Sequence, residues 1–118
     1  MSERIKRNLQ FLRALLPNSK KKKQRKAILK LASCDNIKAL CEGALNTLKG
    51  NVPLSILKKR KLRRHSEKIR KLACRKTSVK KKKAFLVQEG GFLPLIITPL
   101  LSAAGGLAAR AIANATGL

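Results

Sequence analysis

Residues 35–50, DNIKALCEGALNTLKG, decide the reading of the fold. Ile37, Leu40, Cys41, Ala44, Leu45 and Leu48 fall at i, i+3, i+4, i+7, i+8 and i+11, the spacing of one apolar face on an α-helix. Asp35 is a good N-cap for this helix, Gly50 suits its C′ position, and Asn51-Val52-Pro53 makes the turn that follows. No segment alternates with period 2 as a half-buried strand does, and no internal repeat is visible. The fold class read from this is mostly α.

Working outward, Ser2-Glu3 suits a helix start, and Ile5, Leu9, Leu12, Leu15 and Leu16 recur at helical spacing until Pro17 stops them. Asn18 or Ser19 caps a second helix through KKKKQRKAILKLA, whose latter half carries Ile28 and Leu31. On the other side, Ser55 caps a fourth helix. Residues 58–76 of it are dominated by Lys and Arg, with a thin stripe of Leu62, Ile69, Leu72 and Ala73. Thr77 or Ser78 caps a last short helix bearing Val79, Leu86 and Phe85. Residues 1–91 thus read as four to five short basic helices. Helices 1 and 3 and the apolar ends of 2 and 4 would form a small core. A core this small predicts partial disorder without nucleic acid.

The chain has 118 residues, 29 of them Lys or Arg against 5 Asp or Glu, for a net charge of +24. Such a charge repels itself in a compact fold and calls for a polyanionic partner: nucleic acid first, an anionic membrane surface second. One His and five carboxylates leave little for acid–base chemistry, and no nucleophile–base pair is visible, so an enzyme is not expected. Cys34, Cys41 and Cys74 form no C-x-x-C pair, and His65 has no Cys at ligand spacing. Neither a zinc site nor any cofactor is expected. The odd thiols fit a reducing compartment, with Cys34 and Cys41 read as buried small side chains on one helix face. The N-terminal apolar residues are interleaved with Arg and Lys, unlike a secretory signal.

All five acids and all basic residues but Arg110 lie in residues 1–91, which carry +23. Two dense runs flank the neutral amphipathic helix. The first holds Lys20, Lys21, Lys22, Lys23, Arg25 and Lys26. The second holds Lys58, Lys59, Arg60, Lys61, Arg63, Arg64, Arg70, Lys71, Arg75, Lys76, Lys80, Lys81, Lys82 and Lys83. These are the candidate phosphate-binding residues. Each phosphate they neutralise would release a condensed counterion. No zinc-finger spacing, leucine zipper, base-reading helix or aromatic platform accompanies them. The expected partner is therefore double-stranded DNA bound without base specificity.

Residues 92–118 form an apolar Ala/Gly-rich tail, beginning Phe92-Leu93-Pro94-Leu95-Ile96-Ile97-Thr98-Pro99. Eighteen residues, Phe92 to Ala109, carry no charge, which reaches the lower limit for a bilayer span. Pro94, Pro99 and Gly105-Gly106 argue against one uniform helix. A membrane anchor, a membrane-active peptide and a partner-packing segment all stay open for it. Gly90-Gly91, at the charge boundary, reads from composition alone as a helix cap and hinge.

GGFLPLIITPLLSAAGG (90–106), preceded by a very basic segment, resembles the C-terminal region of the adenoviral pX family, precursors of the mu core protein. The longer, Lys-rich form is similar to the pX-like proteins of Polinton/Maverick elements and adintoviruses. The resemblance covers roughly residues 75–118; the upstream helices depart from adenoviral pX. It implies a virion core protein that condenses viral DNA, located in the virion core and in the host nucleus during assembly. Other core or capsid proteins would be its neighbours. It also implies that Gln88, Gly90, Gly91 and Phe92 form a site for a viral cysteine protease, with cleavage after Gly91. The chain then divides into a DNA-binding region, 1–91, and a removable tail, 92–118, through which a membrane could also be contacted.

Overall fold

The computed structural model describes residues 3–18, 21–50 and 56–103. The expected caps Ser2, Ser19 and Ser55, the Asn51-Val52-Pro53 turn, Lys20 and the tail beyond Ala103 lie outside these. The elements are α1 (Glu3–Arg7), α2 (Leu9–Asn18), α3 (Lys22–Leu31), α4 (Cys34–Leu48), α5 (Ile56–Arg64), α6 (Ser66–Ala73), α7 (Val79–Glu89), a single 3-10 turn (Gly90–Phe92) and α8 (Leu93–Ala103). No strand occurs among the described residues. The mostly-α reading is correct. The expected first and fourth helices are each broken in two, at Asn8 and at His65. Pro17 does not stop α2 but sits within its last turn.

α4 is the hub. It packs against α1, α6, α7 and α8. Its start is not Asp35. Ser33 is the N-cap: its Oγ accepts the Asn36 N–H at 3.0 Å, while Asn36 Oδ1 accepts the Ser33 N–H at 2.9 Å. This reciprocal capping box satisfies two donors that the helix leaves open. Asp35, displaced into the first turn, instead holds the N-terminal helix. It accepts from Arg4 Nε at 3.2 Å, Arg7 Nη2 at 3.2 Å and Asn8 Nδ2 at 2.8 Å. Asn8 is buried at the α1–α2 break, where its amide also donates to the Arg4 carbonyl and accepts from Asn36 Nδ2. The break between α1 and α2 thus has a cause: Asn8 is tied to α4. At the far end Gly50 adopts φ +72°, the left-handed C′ conformation that glycine enters freely, as its position in the sequence led us to expect.

The expected core was incomplete. Ile5, Leu12, Leu15, Ile37, Leu40, Ile69, Leu72 and Leu86 are buried as expected. In α3 the buried residue is Leu29; of the two expected there Ile28 is half-buried and Leu31 exposed, and Leu48, at the end of the α4 stripe, is exposed as well. Phe92, Leu93, Ile96, Ile97, Leu100 and Leu101 are buried with them in one cluster. The segment read as a tail therefore supplies much of the interior, and 91/92 is not a boundary in this fold. α8 packs against α2, α4 and α5. Pro94 falls in its first turn, where the missing N–H costs nothing, and Pro99 is accommodated inside the helix.

α4 also buries more than its predicted stripe. Ala39, Gly43 and Thr47, spaced by four, are buried as well. Gly43 marks the close approach of α8. A Cβ there would stand 2.9 Å from Leu100 Cδ2 and 3.1 Å from Ile96 Cγ2. Helical glycine ordinarily costs about 0.5–1 kcal/mol relative to alanine, so its presence here is explained by space. Gly43→Leu should therefore lower unfolding free energy by about 1–3 kcal/mol through overpacking, read as a shifted denaturant midpoint.

The Asp35 network carries a pH signature. Hydrogen bonds from Asn8 and Arg7, then Arg4, lower the Asp35 carboxyl from 3.8 to about 2. A depressed folded-state value means that its stabilising effect is complete above the unfolded value and lost as pH falls through the folded one. Wild-type protein should lose this contribution between about pH 4 and pH 2. Asp35→Asn should be less stable at neutral pH and should flatten that part of the acid melting curve, measured by circular dichroism.

Candidate nucleic-acid interface

The basic runs are presented by elements of different character. α5 buries none of its side chains and packs lightly, against α8. Lys59, Arg60, Lys61, Arg63 and Arg64 are exposed on it, and Lys58 is half-buried. Lys59–Arg63 and Arg60–Arg64 are like-charge i,i+4 pairs, which repel and weaken an isolated helix. A polyanion laid along α5 would remove that repulsion. α6 is amphipathic: Ile69 and Leu72 enter the core against α4, leaving Arg70 and Lys71 outward.

α3 and α7 pack together, and two contacts show that they run antiparallel. Lys83 Nζ donates to the Ala32 carbonyl at 2.9 Å, at the C-terminal end of α3. Arg25, in the first turn of α3, lies over the diglycine. A Cβ on Gly90 would be 3.4 Å from Arg25 Cδ and Nε, and one on Gly91 3.8 Å from Nη1. A cation at the end of a helix complements its dipole, which gives Lys83 a structural role at α3. The first-turn lysines of α3 (Lys21, Lys22 and Lys23) and of α7 (Lys80 and Lys81) consequently face solvent at opposite ends of the pair.

Three of the candidate phosphate ligands do not belong to the open basic surface. Arg25 and Lys82 are each 7 % exposed, and Lys83 is committed to the Ala32 carbonyl. None of the three stands free on the outer surface, because each fills space at a helix–helix contact that a uniform basic run does not reveal. Lys26 is half-buried. Arg75 and Lys76, in the loop between α6 and α7, are exposed. The structure brings Lys71, Lys81 and Phe85 together around an open cleft of about 270 Å³, with the Lys71 ammonium 5.6 Å from the Phe85 ring centre. Phe85 in turn meets Phe92 at 6.0 Å between centroids, which anchors this edge to the core. No group of three or more His, Cys, Asp or Glu able to hold a metal occurs among the described residues.

The thiols divide. Cys34 is exposed, contrary to the buried reading, because the capping box at Ser33 turns the first residue of α4 outward. Burial pushes the Cys41 thiol up. Hydrogen bonds from the Lys76 backbone and the Thr77 side chain draw the Cys74 thiol down.

The residues expected to form a processing site are not presented as an extended strand. Gln88 and Glu89 end α7, and Gly90 and Phe92 are buried in the 3-10 turn; Gln88, Glu89 and Gly91 are exposed. Residues 79–101 form a helical segment of 23 residues, long and apolar enough by composition to cross a membrane, and 56 % of its most apolar window is buried in the protein.

The exposure pattern separates surface cations from structural ones. Lys81→Gln should weaken duplex DNA binding and reduce the slope of log K against log salt by about 0.9, one phosphate contact. Lys83→Gln should leave the slope nearly unchanged and instead cost about 1 kcal/mol of stability through the lost α3 contact. Fluorescence anisotropy across salt concentrations and thermal melts of the same variants check both. No protein-family model, curated protein or solved structure matches the chain.

Proposed function

We propose that this protein is a non-enzymatic virion core protein that binds and condenses double-stranded viral DNA by phosphate neutralisation. The observation that carries the reading is a charge imbalance the fold cannot resolve. Five carboxylates stand against 29 cations, and one of the five, Asp35, already serves two arginines. The remaining cations crowd α3, α5, α6 and the start of α7 with no base-reading constellation beside them. Phosphate contacts position a protein on DNA without conveying sequence, and a surface built of them alone binds any duplex. Arg60, Arg63 and Arg64 on α5 and Lys71, Arg75, Lys76, Lys80 and Lys81 around the α6–α7 loop would make these contacts. Lys21, Lys22 and Lys23 would reach a second strand or a neighbouring duplex from the other end of the α3–α7 pair.

The pX resemblance extends the proposal to a precursor cleaved after Gly91 by a viral cysteine protease. In this fold such a cut would separate α8 from the rest. Burial of one large apolar side chain contributes about 1.5–3 kcal/mol, and whole domains are stable by about 5–15 kcal/mol. Loss of five such side chains, Leu93, Ile96, Ile97, Leu100 and Leu101, is therefore comparable to the whole stability of a domain. The processed 1–91 chain would be an unfolded polycation that still carries +23.

The apolar 79–101 segment supports a second reading, a basic protein that engages membranes through that segment. Leakage of anionic liposomes by the full chain, with no compaction of DNA, would favour it.

Two measurements test the proposal. DNA compaction by the full chain should fall steeply between about 50 and 200 mM salt; salt-independent binding would exclude phosphate neutralisation. Mass spectrometry of particles should find a species ending at Gly91. Recombinant 1–91 should lack a cooperative melt yet bind duplex DNA, whereas a cooperatively folded 1–91 would overturn the fold-loss step.

A further inference from the structure

Lys82 stands apart from the lysines around it. It lies one turn into α7, faces α4, and is 7 % exposed while its neighbours Lys80 and Lys81 point into solvent. Its ammonium meets the Cys41 thiol on α4. Among the described residues it has no carboxylate within ion-pair distance, 4.0 Å, so a thiol rather than a carboxylate partners it. Removing an ammonium from water is costly unless an anion compensates it.

The space in front of Lys82 is an open cleft of about 470 Å³ between α4 and the start of α7. Arg4, Lys38 and Arg75 also line it, from α1, α4 and the α6–α7 loop, so four cations converge there from four segments of chain. One carboxylate, Glu42, shares the cleft. Its Oε2 is buried and has no hydrogen-bond partner. The surrounding cations are therefore not arranged as its ion pairs. Arg4 is partly engaged, its Nε 3.2 Å from Asp35. Lys38, Arg75 and Lys82 take part in no ion pair among the described residues. Thr77 and Val79, which flank the Ser78 N-cap, form the near wall, so the positive end of the eleven-residue α7 adds to the field in the cleft.

We infer that this cleft is a discrete phosphate-binding site, in which Lys82, Arg75 and Lys38 hold one phosphate group against the N-terminal end of α7. The site differs in kind from the solvated basic surface. Its cations converge on one cleft, one of them is largely buried, and one is an arginine, whose guanidinium can make a two-pronged contact. The same phosphate chemistry has two sources, a free polyphosphate and the backbone of a nucleic acid. The site needs no DNA condensation to be real, so its test uses pyrophosphate as the probe.

Isothermal titration of the full-length protein with pyrophosphate should show one saturable site, and amide chemical shifts should move at residues 38–45 and 75–82 rather than on α3 and α5. Arg75→Gln, an exposed position, should weaken binding by about tenfold, a loss of about 1.4 kcal/mol. Arg13→Gln on α2, an exposed position with the same change in net charge, should leave it within about twofold. Lys82→Met should abolish binding with helicity retained; should it fail to fold, the Arg75→Gln and Arg13→Gln comparison decides alone. Equal loss in those two variants, or shifts spread evenly over all basic helices, would overturn the site. Competition by a short duplex assigns the bound phosphate to a nucleic-acid backbone; simultaneous binding of duplex and pyrophosphate assigns it to a free polyphosphate.

Discussion

The approach of α8 to α4 at Gly43 is the constraint on which the rest depends. A protein with this charge cannot build an interior from its basic helices alone, because each offers only a narrow apolar stripe. Those stripes need an uncharged surface to cover, and α8 provides one. The helix can sit that deep only because α4 presents a glycine where Leu100 and Ile96 press in. α4 then carries the other faces outward, to α1, α6 and α7. The basic elements are arranged around a neutral centre, and mutual repulsion is relieved by distance and by solvent.

Much of this was legible in the sequence, for physical reasons that can be named. Periodicity identified α4, and Gly50 marked its end because few other residues enter the left-handed conformation. The mostly-α class followed from the absence of alternation. What was not legible involved competition between adjacent candidates or information carried by space. Ser33 and Asp35 both cap well, and only the partner positions of Arg4, Arg7 and Asn8 decide between them. The stripe of Ala39, Gly43 and Thr47 looks unremarkable in hydropathy yet faces the interior, since small side chains are what close packing needs. The fall in charge beyond the diglycine, with the resemblance at 90–106, made residues 92–118 read as a detachable tail, although residues 93–101 belong to a core helix. Uniform hydrophobicity is equally the mark of a helix covered on all sides.

For the candidate site the division is similar. The positions of the charges could be read directly, and their division of labour could not. Within a single run, Lys80 and Lys81 are open to solvent, Lys82 is enclosed, and Lys83 closes the end of α3. Four consecutive lysines on a helix point in four directions about 100° apart, so a run that is uniform in sequence is necessarily varied in surroundings. Arg25 makes the same point from the other side of the α3–α7 pair, where its stem packs across glycines.

That packing gives the diglycine turn a thermodynamic meaning. A protease that needs an extended backbone can reach residues 88–92 only after the 3-10 turn has opened, and Phe92 and Leu93 must leave the interior for it to do so. Susceptibility at this point is then set by the free energy of a partial unfolding event rather than by exposure of Gly91. Anything bound more tightly by the folded chain than by the opened one raises that free energy and would slow any cleavage there. The turn couples the occupancy of surfaces elsewhere on the protein to the lifetime of one peptide bond.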